Sequence, residues 1–171
     1  MKIALIAGGH LPIPPSGWGG VEHLIWNFSQ QLEKIGDEVK IINTTNQKQI
    51  VNEINQGDFD AVHLHYDQYA NLMPYLNCEK QMITSHYPYL ENPEPQYIFL
   101  YKLLKDSGSH IICLSDRIEK EFVNRGCDST NVSILPCGID IDLYSIDEDD
   151  VLYPERSVVV GKIEPRKRQA F

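Results

Sequence analysis

Gly17-Trp18-Gly19-Gly20-Val21-Glu22 is the point where a proline-bearing loop stops and a helical pattern begins. Two adjacent glycines at such a boundary let the backbone come close to a ligand. The free N–H groups of the first helical turn favour an anion there, so the stretch has the outline of a phosphate-type site. Glycine pairs also make ordinary tight turns, and the flanks decide between the two. Upstream, Lys2–Ala7 is a short apolar run ended by glycine, the form of a strand buried on both faces of a parallel sheet. Residues 8–20, with Pro12, Pro14 and Pro15, make a connection of a length that in compact domains is usually either functional or disordered, and here the functional option leads. Downstream, Val21, Leu24, Ile25, Phe28, Leu32 and Ile35 recur at helical spacing, and Gly36 supplies a stop.

Strand, glycine loop and helix are followed by more of the same alternation. Strands are expected at residues 39–43, 59–65, 81–85, 110–114 and 132–136, with helices at 47–56, 67–76, 95–104 and 116–124. Ser115 is placed to cap the last of these helices and Gly126 to close it. This rhythm predicts an α/β fold, a doubly wound and mostly parallel Rossmann-like sheet with right-handed crossovers.

The 171 residues, 42% hydrophobic and 23% charged, suit an α/β domain with a real core. Twenty-four acids against 15 bases give a net charge of −9, which disfavours broad contact with nucleic acid or an anionic membrane. The four cysteines form no C-x-x-C pair, and Cys113 sits in an apolar run as a buried thiol would. No apolar segment is long enough for a signal sequence or a bilayer span, so a cytoplasmic location is expected.

Ligands of doubly wound sheets bind beyond the carboxyl ends of the strands. That rule selects His10 and Gly19-Gly20 after the first strand, His65 after the third and Ser85-His86 after the fourth. Ser115 follows the fifth and Cys137-Gly138 the sixth. A dinucleotide enzyme is disfavoured: Gly8-Gly9-His10-Leu11-Pro12 is not G-x-G-x-x-G, and the second strand ends in Asn43 rather than an acid. Neither a P-loop nor a G-x-S-x-G elbow occurs. His63 and His65 share one face of a strand and with His86 could compose a three-histidine metal site. No carboxylate or cysteine completes an evident ligand set, so no metal is expected.

The segments GGVEH, FDAVHLHY, TSHYP, ILPCGIDIDLY and VVVGKIEPRKRQAF, in this order and at these strand ends, resemble family 4 glycosyltransferases of the GT-B fold. The resemblance runs the length of the chain. It implies a retaining transfer of a sugar from a nucleotide diphosphate donor to a saccharide or lipid-linked acceptor, with no required cofactor. It also implies two Rossmann-like domains, of which the N-terminal one mostly holds the acceptor. Carried over residue by residue, Gly19 and Gly20 approach the donor diphosphate, His86 stands near the transferred sugar, and Lys162 and Lys167 neutralise the leaving diphosphate. Glu22 is the acid after the glycines and is read as capping the helix or orienting the loop. Beside these carried-over positions, Trp18 of the loop and the strand-end residues His65 and Ser115 are candidates for positioning acceptor or loop. Cys137 stands where that family usually has asparagine.

The resemblance divides the chain into an acceptor-side domain at 1–139, an acidic linker at 140–156 and the start of a donor-binding domain at 157–171. On this reading the chain should not transfer sugar alone. Val158, Val159 and Val160 are then a strand without a sheet, expected to be disordered, to fold back, or to pair in a homodimer. Residues 97–105, YIFLYKLLK, are amphipathic and mildly basic; core packing is the favoured reading, and peripheral contact with the inner membrane face is the other. Two rival functions are a non-catalytic sugar- or nucleotide-binding module acting with a partner, and a GT-B-fold sugar-nucleotide epimerase. Genuine activity separates the transferase from the binding module, and dependence on an acceptor separates it from the epimerase.

Overall fold

A computed structural model describes residues 1–86 and 95–139. The chain divides into two compact units, Met1–Gly138 and Ile139–Phe171. Lys162, Lys167, the acidic stretch at 140–155 and the strand of Val158, Val159 and Val160 lie outside the described residues.

Six strands, β1 (Lys2–Ala7), β2 (Glu38–Asn43), β3 (Ala61–Leu64), β4 (Lys80–Ser85), β5 (His110–Cys113) and β6 (Val132–Ile134), form one sheet in the order β2-β1-β3-β4-β5-β6. Every pairing is parallel, where the sequence promised mostly parallel. Among the described residues the helices are α1 (Gly20–Lys34), α2 (Gln47–Gly57), α3 (Pro95–Asp106) and α4 (Asp116–Asn124), with a 3₁₀ helix at Asp67–Tyr75 and a short 3₁₀ turn at Ser129–Asn131. β3 is shorter than the expected 59–65, but Asp60 and His65 still donate to Lys2 and Ile6 carbonyls, so the hydrogen bonding to β1 runs past the regular strand.

Alternate residues of each strand feed two cores. Ala4, Ile6, Val62, Leu64, Ile83, Ile111 and Cys113 point into the larger, which takes side chains from α2, the 3₁₀ helix, α3 and α4. Ile3, Leu5, Ala7 and Ala61 point into the smaller, which is closed by Ile25, Val21, Phe28 and Leu32 of α1. Ile35 departs from the expected apolar stripe: α1 ends at Lys34, the chain turns at Gly36 (φ 95°), and Ile35 stays 76% exposed at the C-cap. α3 buries Leu100, Tyr101 and Leu104 and leaves Ile98, Phe99, Lys102 and Lys105 outward, so the core-packing reading holds for one of its faces. No described helix is long and apolar enough to cross a membrane.

Candidate functional site

β1 leads to α1 and then to β2 on one side, whereas the next connection crosses to β3 on the other. The strand order therefore switches at β1 and β3, and a crevice is expected at their carboxyl ends. The loop leaving β1 is tied down there by distant residues. Asn43, last in β2, accepts from the Gly9 N–H at 2.8 Å through Oδ1 and donates to the Leu11 carbonyl at 2.8 Å through Nδ2. The Tyr69 hydroxyl donates to the Gly8 carbonyl at 3.2 Å. His10 Nε2 and the Tyr66 hydroxyl are 3.0 Å apart, and that hydroxyl donates to Gln68 Oε1 at 3.2 Å. Gly9, at φ 76°, lies against the Thr44 backbone, so a side chain there would collide with main chain. Asn43 thus spends both ends of its amide on the loop, at the place where a dinucleotide fold keeps an acid for ribose.

The two glycines at the start of α1 differ. Gly19 is the N-cap with φ 144°, a conformation side chains rarely adopt, and a Cβ there would stand 2.7 Å from Glu22 Oε2. Gly20 is helical, and a Cβ on it would meet nothing within 4 Å. Backbone geometry accounts for Gly19, while open space in front of Gly20 suits the approach of a ligand. Among the described residues no side-chain cap hydrogen bond closes this helix end. Glu22 turns its carboxylate toward Gly19 without a cap bond, which corrects the capping part of its expected role; the attraction is to the positive end of the helix. His23 Nε2 donates to the Gly17 carbonyl at 2.7 Å and so holds the glycine stretch to the helix. Trp18 is 68% exposed on that loop.

At the ends of β3 and β4 stand three histidines. The rings of His63 and His65 are 4.0 Å apart by centroid, and His65 and His86 stack at 5.4 Å with 21° between planes. His65 Nδ1 lies 3.2 Å from His86 Nε2, and His63 Nε2 lies 2.6 Å from Thr84 Oγ1. Phe28 of α1 meets both His63 and His65 edge-on. Ser85 Oγ, in the residue before His86, donates to buried Asp67 Oδ2 at 3.3 Å. The imidazoles stack instead of converging on a point, and among the described residues no group of three His, Cys, Asp or Glu is arranged to hold a metal.

Burial, with a smaller contribution from His86, lowers His63 from the usual 6.5 to about 4. Burial alone lowers His86 to about 4. His65 lies well below 6.5, chiefly through burial and then through His63 and His86. All three are neutral at pH 7, able to hydrogen-bond hydroxyls but not to neutralise phosphate. A cation for a phosphate must come from elsewhere.

Ser115 occupies the N-cap of α4 in an extended conformation, but its side chain makes no cap bond; its carbonyl accepts from the Glu119 N–H at 3.1 Å. The capping role read from the sequence is therefore confined to the backbone. Sequence reasoning missed Asn43, His23, Tyr66 and Tyr69. Asn43 carried a signal, since an amide at a strand end beside a glycine loop can bridge it in both directions.

A family model described as Glycosyltransferase Family 4 matches residues 42–143. The fold is similar to that of AviGT4, a glycosyltransferase involved in avilamycin A biosynthesis, at 18% identity and a TM-score of 0.57, covering 84% of this chain and 44% of that one. It is also similar to Anabaena HepE in complex with UDP-glucose, at 13% identity and a TM-score of 0.59, covering 86% of this chain and 47% of that one. A further HepE structure, with UDP and glucose, aligns with a TM-score of 0.58 at 13% identity over the same shares. The chain thus spans less than half the length of these proteins. No curated protein sequence matches it.

Proposed function

The chain belongs to Glycosyltransferase Family 4, and from that membership we propose that it supplies the acceptor-side half of a retaining glycosyltransferase using a nucleotide diphosphate sugar. The observation that carries the proposal is the uncapped start of α1, with Gly20 open in front of it, at the same sheet end as the neutral His86. The N–H groups of the first turn suit the donor diphosphate. His86 suits a hydroxyl of the transferred sugar, where a neutral imidazole stabilises charge developing at the anomeric centre. Acceptor binding falls to the loop of His10 and Trp18 together with Tyr66 at the β1/β3 crevice. Lys162 and Lys167 are assigned to the leaving diphosphate, and a saccharide or lipid-linked compound is the acceptor class. HepE's UDP-glucose complex supports a uridine nucleotide as the first donor to try.

The test uses the natural protein purified from its source cells, with labelled UDP-sugars and a saccharide acceptor mixture. The reading expects label transfer that needs acceptor, keeps the anomeric configuration and falls at least about 100-fold in His86→Ala. Release of an isomerised sugar nucleotide without acceptor would replace the transferase by an epimerase. Binding without turnover under all acceptors would leave a binding module.

A further inference from the structure

The His65–His86 pair carries information about where the protons sit. One proton is shared between His65 Nδ1 and His86 Nε2 at 3.2 Å, because each neutral imidazole has one N–H and one bare nitrogen. If His86 donated, His65 would carry its own proton on Nε2. That atom is buried and has no hydrogen-bond partner among the described residues. A buried N–H without an acceptor is rarer and worse tolerated than a buried acceptor without a donor. If His65 donates from Nδ1, its Nε2 is only a bare buried lone pair, on a ring packed against His63 and Phe28. His65 is also held in place: its ring packs on His63, which Thr84 fixes, and Phe28 presses from α1.

We propose that His65 is a positioning residue which, by donating from Nδ1 to His86 Nε2, fixes His86 in the tautomer that carries its proton on Nδ1. The inference rests on the reading of His86 as the residue near the transferred sugar, and it deepens that reading. His86 then meets the sugar as a hydrogen-bond donor through Nδ1 and has its other nitrogen already engaged, so it stabilises an oxygen and does not accept a proton from one. The structural reading of His65, a buried ring that merely fills space, predicts no preference between the tautomers of its neighbour.

Long-range proton–nitrogen correlation spectra of the ¹⁵N-labelled 171-residue chain at pH 7 distinguish these directly. The expected result is a protonated Nδ1 and a bare Nε2 on His86, and a protonated Nδ1 on His65. In His65→Phe, which keeps a ring but removes the donor, His86 is expected to become a mixture of both tautomers. His65→Asn returns an N–H to the place of Nδ1 and should restore the single form. A proton on Nε2 of His86 in the unsubstituted chain would overturn the proposal even if neither variant folds, and so would an unchanged His86 tautomer in a folded His65→Phe. The expected tautomers combined with no response of His86 to added UDP-glucose would uphold the positioning and overturn the donor-site reading instead.

Discussion

The two faces of the sheet are built to different rules. Among the described residues, the face under α2, α3, α4 and the 3₁₀ helix collects twenty buried side chains in one cluster, from Ala4 to Val132, dominated by Ile, Leu and aromatic groups. The face under α1 collects five in its cluster, and the same strand positions that continue it carry His63 and His65. Val62 and Leu64 alternate with these histidines along β3 and the residue after it, so four consecutive residues serve both faces. The difference teaches a division of work: one face maximises apolar burial and holds the fold, and the other gives up apolar area to keep imidazoles dry, neutral and near the strand ends. Only the second face should respond to pH and to ligand.

The largest effect should come from the first face. Phe122, buried in the large cluster, should cost about 3–5 kcal/mol when changed to Ala, read by urea denaturation. It should leave the pH response described next unchanged; an altered pH response would mean that the faces are not independent.

Acid should act through the second face. His63 and His86 have folded-state values of about 4 against 6.5 unfolded, so the unfolded chain binds more protons between those limits. Their contribution to stability is complete above pH 6.5 and is lost as pH falls toward 4, by up to about 1.4 kcal/mol per pH unit for each histidine. Denaturation midpoints at pH 7, 6 and 5 measure this. Equal stability at pH 7 and 5 would mean that the histidines are not held neutral.

Smaller effects separate the two glycines. Gly19→Ala should destabilise by about 1–3 kcal/mol through its φ of 144° and the Glu22 contact. Gly20→Ala should stay within about 0.5 kcal/mol on thermal unfolding while weakening UDP binding. The reverse order would make the pair a turn and nothing more. The smallest change belongs to Glu22→Gln: removing a carboxylate from the helix N-terminus should tighten UDP binding by about 0.3–1 kcal/mol, measurable by calorimetry. Weaker binding in that variant would give Glu22 a direct part in holding the donor.

The fold was largely legible because each element announces itself locally. Lys2–Ala7 reads as a buried parallel strand, and α1 reads from Val21, Ile25, Phe28 and Leu32. Errors fell at ends, as with Ile35, where the turn at Gly36 removes a residue from the stripe that spacing alone had included. The site was legible only as positions. That Gly20 is open and Gly19 strained depends on backbone angles, and composition does not carry angles. The links from Asn43 to Leu11, Tyr69 to Gly8 and His65 to His86 span 32, 61 and 21 residues, and each depends on register between strands. Pairing Leu64 with Ile83 is what carries His65 and His86 past the strand ends together. The sequence contains both histidines, but only the register makes them neighbours.

On the proposed reading, the start of α1 and His86 form one donor-binding place. Titrating the ¹⁵N-labelled chain with UDP-glucose tests it most directly. Saturable shifts of the Gly20 and Val21 amides and of the His86 ring are expected, abolished in Gly20→Val, a position where an added Cβ meets nothing within 4 Å. Amides at 19–21 and a His86 ring that stay in place at millimolar UDP-glucose, or that respond identically in Gly20→Val, would contradict it.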